Sequence, residues 1–294
     1  MKYIISIFLV SCLCAVGTVS AQVDSANTAL DSKIEVYQKE NIPNKKPIPY
    51  APVREADVMR EYVVWREIDM RNRRNFPLYY PTEPKIIGSR MNFFALLMGG
   101  IERGEITPYH PFPDSDEFSQ EITLEDILQN PSLKTEDRFT PSTSLVTGND
   151  TLLLVKGRNY LEDFTPERME IKEKWYFDKK YSTWQMRIIG IRPIYMILRE
   201  SALQPSRVPV CWLYMDEARP LLARHPVFNA NNSAQPISYD DFFMQQRYLA
   251  EIIRVENMHN NRKINEYLDG LDVLYESQRV KQEIFNFEQD LWEY

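Results

Sequence analysis

The chain has 294 residues, with 35 basic and 42 acidic side chains and a formal net charge of −7. This acidic balance argues against nucleic acid as a partner, because phosphate binding requires a basic face. A chain of this length with 44% hydrophobic residues can bury a stable core without disulfides.

The first 21 residues have the pattern of an export leader. Lys2 precedes an apolar run over residues 3–19, and the run closes on a small-residue cleavage pattern, Val19-Ser20-Ala21. We therefore predict a signal peptide at residues 1–21 and a mature chain that begins at Gln22. No other stretch approaches about 18 consecutive apolar residues, so direct membrane insertion is not expected.

A rival interpretation starts from residues 9–12 (LVSC), a lipoprotein-type processing pattern that would leave Cys12 lipidated. The apolar run continues beyond Cys12, which favours soluble export, and mass spectrometry of the mature N-terminus separates the two. After cleavage Cys211 is the one remaining cysteine. It lies in the strand-like run VPVCWLYM, which favours a buried, inert thiol over an intermolecular disulfide.

Residues 22–52 are polar and carry four closely spaced prolines. We predict that they form an extended arm before a single domain at residues 53–294, because they cannot bury enough apolar surface to fold by themselves. The arm is either a tether or a segment that orders on a neighbouring subunit. Ile48, Tyr50 and Val53 keep the second interpretation open.

The domain is predicted to open with helices. Apolar residues recur at helical spacing at Val58, Tyr62, Trp65 and Ile68. Three arginines follow where this helix would end and where cations complement its dipole: Arg71, Arg73 and Arg74. A second helix is predicted at residues 91–103, with Ser89 as its N-cap and Gly104 as its stop. A short helix is predicted from the Thr123 cap to Gln129.

The middle of the chain changes to the period of strands. Residues 152–155 predict a buried strand, and residues 208–215 predict another. A hairpin is predicted around a turn at residues 178–181. Its two strands carry the alternating residues Ile171, Trp175 and Phe177, then Trp184, Met186, Ile188 and Gly190.

The C-terminal quarter is predicted to return to helix. Helices are expected at residues 242–256 behind a Ser238 cap and at residues 262–268. The last helix is expected along an apolar stripe formed by Val280, Ile284, Phe287 and Leu291. The pattern as a whole predicts an α+β fold in which helices flank a small antiparallel sheet.

The sequence contains no recognisable catalytic constellation. Glycine-rich phosphate loops and nucleophile elbows are absent, and the three histidines stand apart from other potential metal ligands. Residues 114–117 (DSDE) lack the glycine that a calcium loop requires. We therefore predict no catalytic, cofactor-binding or metal-binding residue. The enzymatic alternative is a secreted hydrolase whose active site is dispersed over the fold.

Aromatic residues make up 12% of the chain, and in some segments they indicate protein contacts. Tyr79 and Tyr80 lie between two prolines in a segment predicted to be extended, where adjacent side chains point in opposite directions. One of them should therefore face outward. The candidate interface residues are Tyr50, Arg71, Arg73, Arg74, Tyr79, Tyr80, Phe285 and Trp292.

Six segments, spread in order over the mature chain, resemble the gliding-motility protein N / PorN (GldN/PorN) family of the type IX secretion system. They are residues 65–81 (WREIDMRNRRNFPLYYP), 104–107 (GEIT), 175–178 (WYFD), 187–191 (RIIGI), 240–244 (DDFFM) and 285–294 (FNFEQDLWEY). The resemblance implies a periplasmic, non-enzymatic component without cofactors. It implies self-association in a ring with an outer-membrane lipoprotein of the GldK/PorK type and contact with a motor component of the GldM/PorM type. It assigns no role to individual residues.

Overall fold

The computed structural model describes residue 42 and residues 44–82, 91–111, 118–134, 138–143, 150–155, 159–198, 204–228, 236–259 and 261–292. The predicted leader at residues 1–21 lies outside the described residues. So do most of the predicted arm, the Ser89 cap and the acidic run at residues 114–117.

Within the described residues the chain forms eleven strands. They are β1 (Val58–Asp69), β2 (Pro108–Tyr109), β3 (Arg138–Thr143), β4 (Asp150–Val155), β5 (Arg168–Asp178), β6 (Thr183–Ile197), β7 (Ser206–Pro209), β8 (Trp212–Tyr214), β9 (Pro226–Val227), β10 (Ile237–Ser238) and β11 (Glu251–Val255).

The described helices, leaving aside 3-10 turns, are seven. They are α1 (Phe76–Tyr79), α2 (Phe93–Glu102), α3 (Leu124–Gln129), α4 (Tyr160–Asp163), α5 (Met215–Ala223), α6 (Tyr239–Met244) and α7 (Leu271–Trp292). Helices and an antiparallel sheet together confirm the predicted α+β class.

One antiparallel sheet of seven strands organises the described domain, in the order β11-β1-β5-β6-β8-β2, with β7 pairing with β6 beyond the end of β8. The long strand β6 pairs with β5 along one edge and with β8 and then β7 along the other. The strand pairs β3–β4 and β9–β10 form two small sheets of their own.

The predicted hairpin is confirmed as β5–β6. Its turn is stabilised by a hydrogen bond from the Lys180 amide to the Asp178 side chain (2.8 Å), and Ser182 takes a positive φ of 50°. Gly190 departs from the predicted alternation, because a bulge between Lys172 and Glu173 shifts the register. A Cβ at Gly190 would lie 2.4 Å from the Phe118 ring and 3.2 Å from a backbone oxygen, so a side chain does not fit there.

The first predicted helix is wrong, because its residues form strand β1. On a helix whose apolar stripe is Val58, Tyr62, Trp65 and Ile68, the side chains of Arg66 and Glu67 would lie off the stripe and face solvent. In the structure Glu67 is buried between Arg168 and Arg207, and Arg66 binds the fully buried Glu173. β1 pairs with β5 on one edge and β11 on the other, so its backbone groups are satisfied by the sheet.

Two C-terminal predictions also need correction. The helix predicted at residues 242–256 is α6, which stops at Met244, and residues 251–255 instead form β11. The helix ends because Gln246 takes a positive φ of 50° and the Arg247 amide turns back to the Phe242 carbonyl (3.1 Å). The helix predicted at residues 262–268 is only a 3-10 turn at Ile264–Glu266.

The strand predicted at residues 208–215 is split into β7 and β8, and its last residue, Met215, begins α5. The break follows Pro209, which has no amide proton to continue a ladder. The two pieces pair with different parts of β6.

Several helix boundaries agree with the sequence. Thr123 and Asp126 form a complete capping box at the start of α3. Gly104 follows α2 with a positive φ of 70°. The start of α2 differs from the prediction: its N-cap is Asn92 and not Ser89, because the Asn92 side chain accepts a hydrogen bond from the Ala95 amide (2.7 Å).

One face of the large sheet carries two hydrophobic clusters. The larger cluster packs α2, α5 and α6 against residues such as Ile68, Ile171 and Ile191. The smaller packs α7 against Val64 and Ile252. Between them lies a buried polar group centred on Glu173, which accepts hydrogen bonds from Arg66 (3.2 Å), Tyr248 (2.9 Å) and Trp175 (2.8 Å). Burial, with this carboxylate beside it, raises the pKa of the Tyr248 hydroxyl well above its usual value.

The other face of the sheet carries buried charges paired across strands. Arg192 on β6 binds Glu170 on β5 at 2.6 Å, and both side chains are almost fully buried. The Arg192 guanidinium also lies 4.5 Å from the centre of the Trp212 ring and donates to the Pro111 carbonyl (2.9 Å). These contacts tie three neighbouring strands, β5, β6 and β8, into one rigid layer.

We predict that Arg192→Met lowers the free energy of unfolding by about 3–5 kcal/mol, because it leaves the Glu170 carboxylate buried without its cation. Arg192→Met combined with Glu170→Leu should recover most of this loss. Urea unfolding of the variants measures both effects. The control is Arg103→Ala, which removes an exposed ion pair with Glu105 and should cost less than about 1 kcal/mol. Equal losses from Arg192→Met and Arg103→Ala would contradict the prediction.

Candidate protein-interaction surfaces

The segment that follows β1 forms a rigid, exposed turn. Asn75, which is fully buried, donates to the carbonyls of Asp69 (2.7 Å) and Leu249 (2.9 Å) and accepts from the Leu249 amide (2.9 Å). Leu78 is also fully buried and enters the main core. We call residues 71–80 the basic-aromatic turn. Its backbone is fixed from both sides, so the side chains on it are held in place.

The basic-aromatic turn places most of its candidate residues at the surface. Arg71 pairs with Asp69 (3.5 Å) and Glu167 (3.3 Å), and Arg73 and Arg74 are exposed in a 3-10 turn. The expected interaction of these arginines with a helix dipole is therefore wrong, because the element before them is a strand.

One of the two adjacent tyrosines faces outward, as predicted, but the extended geometry predicted for them is wrong. Tyr79 belongs to the short helix α1 and packs against the main core, whereas Tyr80 follows the helix and is 53% exposed. The exposed Tyr80 ring makes edge contacts with Phe76 (5.3 Å between centroids) and with Tyr79 (5.2 Å). Phe76 is an exposed aromatic residue that the sequence interpretation did not select.

Helix α7 has two apolar faces, an inner face toward the sheet and an outer face on its opposite side. Val280 and Ile284 of the predicted stripe lie on its inner face: Val280 packs against the sheet together with Val273, which the stripe did not include, and Ile284 is buried. Phe287, also in the stripe, makes an edge contact with Phe177 and a tilted contact with Trp184, each at 5.6 Å between ring centroids. Leu291, the last member of the predicted stripe, lies in α7, but its side chain is outside the described residues.

The outer face of α7 exposes Leu271, Leu274, Tyr275 and Phe285. Helical spacing places them in one stripe with Gln278 and Gln282, so the stripe carries no charge. We call this stripe the outer face of α7. Trp292 ends the helix, and its side chain lies outside the described residues. The sequence interpretation found Phe285 but missed the first three residues, which the same spacing would have revealed.

Beside α7 lies an open groove of about 380 Å³, lined by Arg60 of β1 and by the second half of the helix. The Arg60 guanidinium lies 4.8 Å from the rings of both Tyr62 and Phe287 and 3.5 Å from Glu283. These contacts attach the helix to the edge of β1. The groove is therefore a consequence of the way in which α7 packs on the sheet.

Tyr50, the candidate in the arm, is enclosed between two arginines of the domain. Its ring centre lies 4.2 Å from the guanidinium carbon of Arg219 and 4.8 Å from that of Arg187. Burial raises the pKa of the Tyr50 hydroxyl.

No candidate metal centre is found in the part of the chain that the structure describes. Its histidines, cysteine and carboxylates form no group of three or more that could hold a metal ion. Nδ1 of His225 donates to the Leu221 carbonyl (2.9 Å), and burial lowers the pKa of its ring. Among the described helices, none combines the length and the apolar content needed to cross a bilayer.

Residues 53–293 match the family model described as gliding motility associated protein GldN. The chain belongs to the GldN family. A search of curated proteins finds no match. GldN is a structural family of the gliding-motility and type IX secretion machinery and is not a known enzyme family. The match begins directly after the predicted arm and covers every described strand and helix.

In this GldN-family chain we predict that exposed aromatic residues contribute to assembly and not to folding. Phe285→Ala on the outer face of α7 and Tyr80→Ala on the basic-aromatic turn should change the free energy of unfolding by no more than about 0.5 kcal/mol. Both variants should weaken assembly. The matched control is Ile284→Ala, next to Phe285 on the inner face of the same helix, which should cost about 2–5 kcal/mol. Thermal unfolding and light scattering test the two effects, and equal losses of stability in all three variants would refute the distinction.

Cys211 is buried, as the sequence predicts, and burial raises the pKa of its thiol to about 12. Because only the thiolate is nucleophilic, we expect no reaction with a disulfide reagent at pH 8 while the domain is folded. One equivalent should react after denaturation. Rapid labelling of the folded mature chain would show that the thiol is accessible. It would then favour the alternative interpretation, in which Cys211 forms an intermolecular disulfide.

Proposed function

We propose that this chain is a non-enzymatic structural subunit of the type IX secretion and gliding machinery. It works in the periplasm and builds large rings with an outer-membrane lipoprotein of the GldK/PorK type. Membership of the GldN family over residues 53–293 carries the proposal. The export leader pattern at residues 1–21 supports the compartment.

Two exposed surfaces that carry aromatic side chains support a role in assembly. The basic-aromatic turn follows Asp69 at one end of β1. The outer face of α7 lies on a helix that is attached to the sheet at Ile252, through Ser277, and at Arg60, through Glu283. Two different surfaces suit a head-to-tail contact, which gives a ring when its rotation closes.

The lipoprotein partner supplies the attachment to the outer membrane in this proposal. A motor component of the GldM/PorM type contacts the assembled ring. Arginine and aromatic side chains such as Arg73, Arg74 and Tyr80 are of the types enriched at protein contacts, and they are available for these partners.

The proposal is tested by light scattering and negative-stain imaging of the mature chain, alone and co-expressed with its lipoprotein partner. We expect large closed particles with the partner, and few or none without it. A chain that stays monomeric and does not bind the lipoprotein would overturn the proposal. Denaturant unfolding of the same sample establishes that the chain tested was folded.

A further inference from the structure

The last part of the predicted arm does not project from the domain but lies against it. We call residue 42 and residues 44–52 the docked arm. Ile42 is buried, and Lys45 forms an ion pair with Asp241 at the start of α6. Residues 45–52 have neither helix nor strand, so side-chain contacts fix their path.

Four side chains of the domain form the site that receives the docked arm. We call Arg187, Arg219, Asp240 and Asp241 the socket. Arg219 donates to the Ile48 carbonyl, and Arg187 donates to the Ala51 carbonyl. The same two guanidinium groups enclose the Tyr50 ring. The socket therefore recognises an extended backbone, one aromatic ring and one cation.

The socket is held in shape by contacts inside the domain. Nε of Arg219 donates to Asp240 (2.9 Å), and both residues are buried. Asp241 is fixed by the Ser238 hydroxyl (2.8 Å) as part of the cap of α6. Both pairs consist of residues outside the arm, so a segment of the same chemistry from another chain would find the same groups in the socket.

The arm is suited to move as a unit. Its outward side is solvated, since Ile48 is 65% exposed, and Lys45, Tyr50 and two backbone carbonyls hold it through polar and cation–π contacts. It joins the domain through an exposed 3-10 turn at Glu55–Asp57, in which no residue is buried. Its closely spaced prolines keep it extended when free, which reduces the entropy lost on docking.

We propose that, in the assembled ring, the docked arm of each copy occupies the socket of the next copy. This inference rests on the proposed function. The arm and the socket are different surfaces that already match within one chain, and exchange of identical segments reproduces every contact between copies. The exchange gives each contact a direction, because each copy gives one arm and receives one.

The test requires no substitution, because it uses the natural sequence and a mixture of two isotopic labels. Equal amounts of ¹⁴N- and ¹⁵N-labelled mature chain are mixed and assembled with the lipoprotein partner, and a zero-length carbodiimide joins adjacent amines and carboxylates. Mass spectrometry then compares two products. The Lys45–Asp241 product reports the arm in its socket, and the Lys174–Glu61 product joins β5 to β1 within one chain (3.0 Å).

If arms are exchanged, about half of the Lys45–Asp241 product should contain both isotopes, because chains pair at random. The Lys174–Glu61 product should contain one isotope only. Large assemblies whose Lys45–Asp241 product carries a single isotope would overturn the exchange and leave the proposed function standing. Assemblies in which only the Lys174–Glu61 control product forms would also overturn the exchange and leave the proposed function standing. Failure to assemble at all would overturn the proposed function and the exchange with it.

Discussion

The fold depends on charged side chains that are buried in the sheet and neutralised across strands. Glu173 on β5 is fully buried and bound by Arg66 on β1, and Glu170 on β5 is bound by Arg192 on β6. A slip of one residue in either pairing would turn one partner to the other face of the sheet and leave a buried charge without its counter-ion, at a large cost in free energy. The ion pairs thus specify register, while the apolar clusters around them supply most of the favourable burial energy.

A sheet fixed in this way supports the basic-aromatic turn and the outer face of α7. The basic-aromatic turn is held by Asn75 and Leu78, and α7 is held by Ile284 and by the Ser277 hydroxyl, which accepts from the Ile252 amide (3.2 Å) at the sheet edge. That last bond also shields an edge strand from pairing with another chain. In the function we propose, assembly uses the surfaces that these elements present, and the chain belongs to a structural family of the gliding and secretion machinery.

The features that the sequence predicted well are those determined by close neighbours. The Thr123 capping box, the stop at Gly104 and the β5–β6 turn each depend on residues a few positions apart. Strand β1 was mistaken for a helix because the partners that bury Arg66 and Glu67 lie more than a hundred positions away. The same holds for the Tyr50 site, whose two arginines come from β6 and α5. The outer face of α7 was only partly recognised, because the inner stripe alone was enough to explain the helix.

Radical footprinting of the free chain and of the ring tests the central claim, that assembly covers surfaces held by a rigid sheet. We expect the oxidation of Tyr80, Tyr275 and Phe285 to fall on assembly. Tyr181, which is 61% exposed at the β5–β6 turn and belongs to neither surface, should remain as reactive as before. Unchanged oxidation of all three residues in the ring, or protection of Tyr181 alone, would contradict the claim that assembly covers these surfaces.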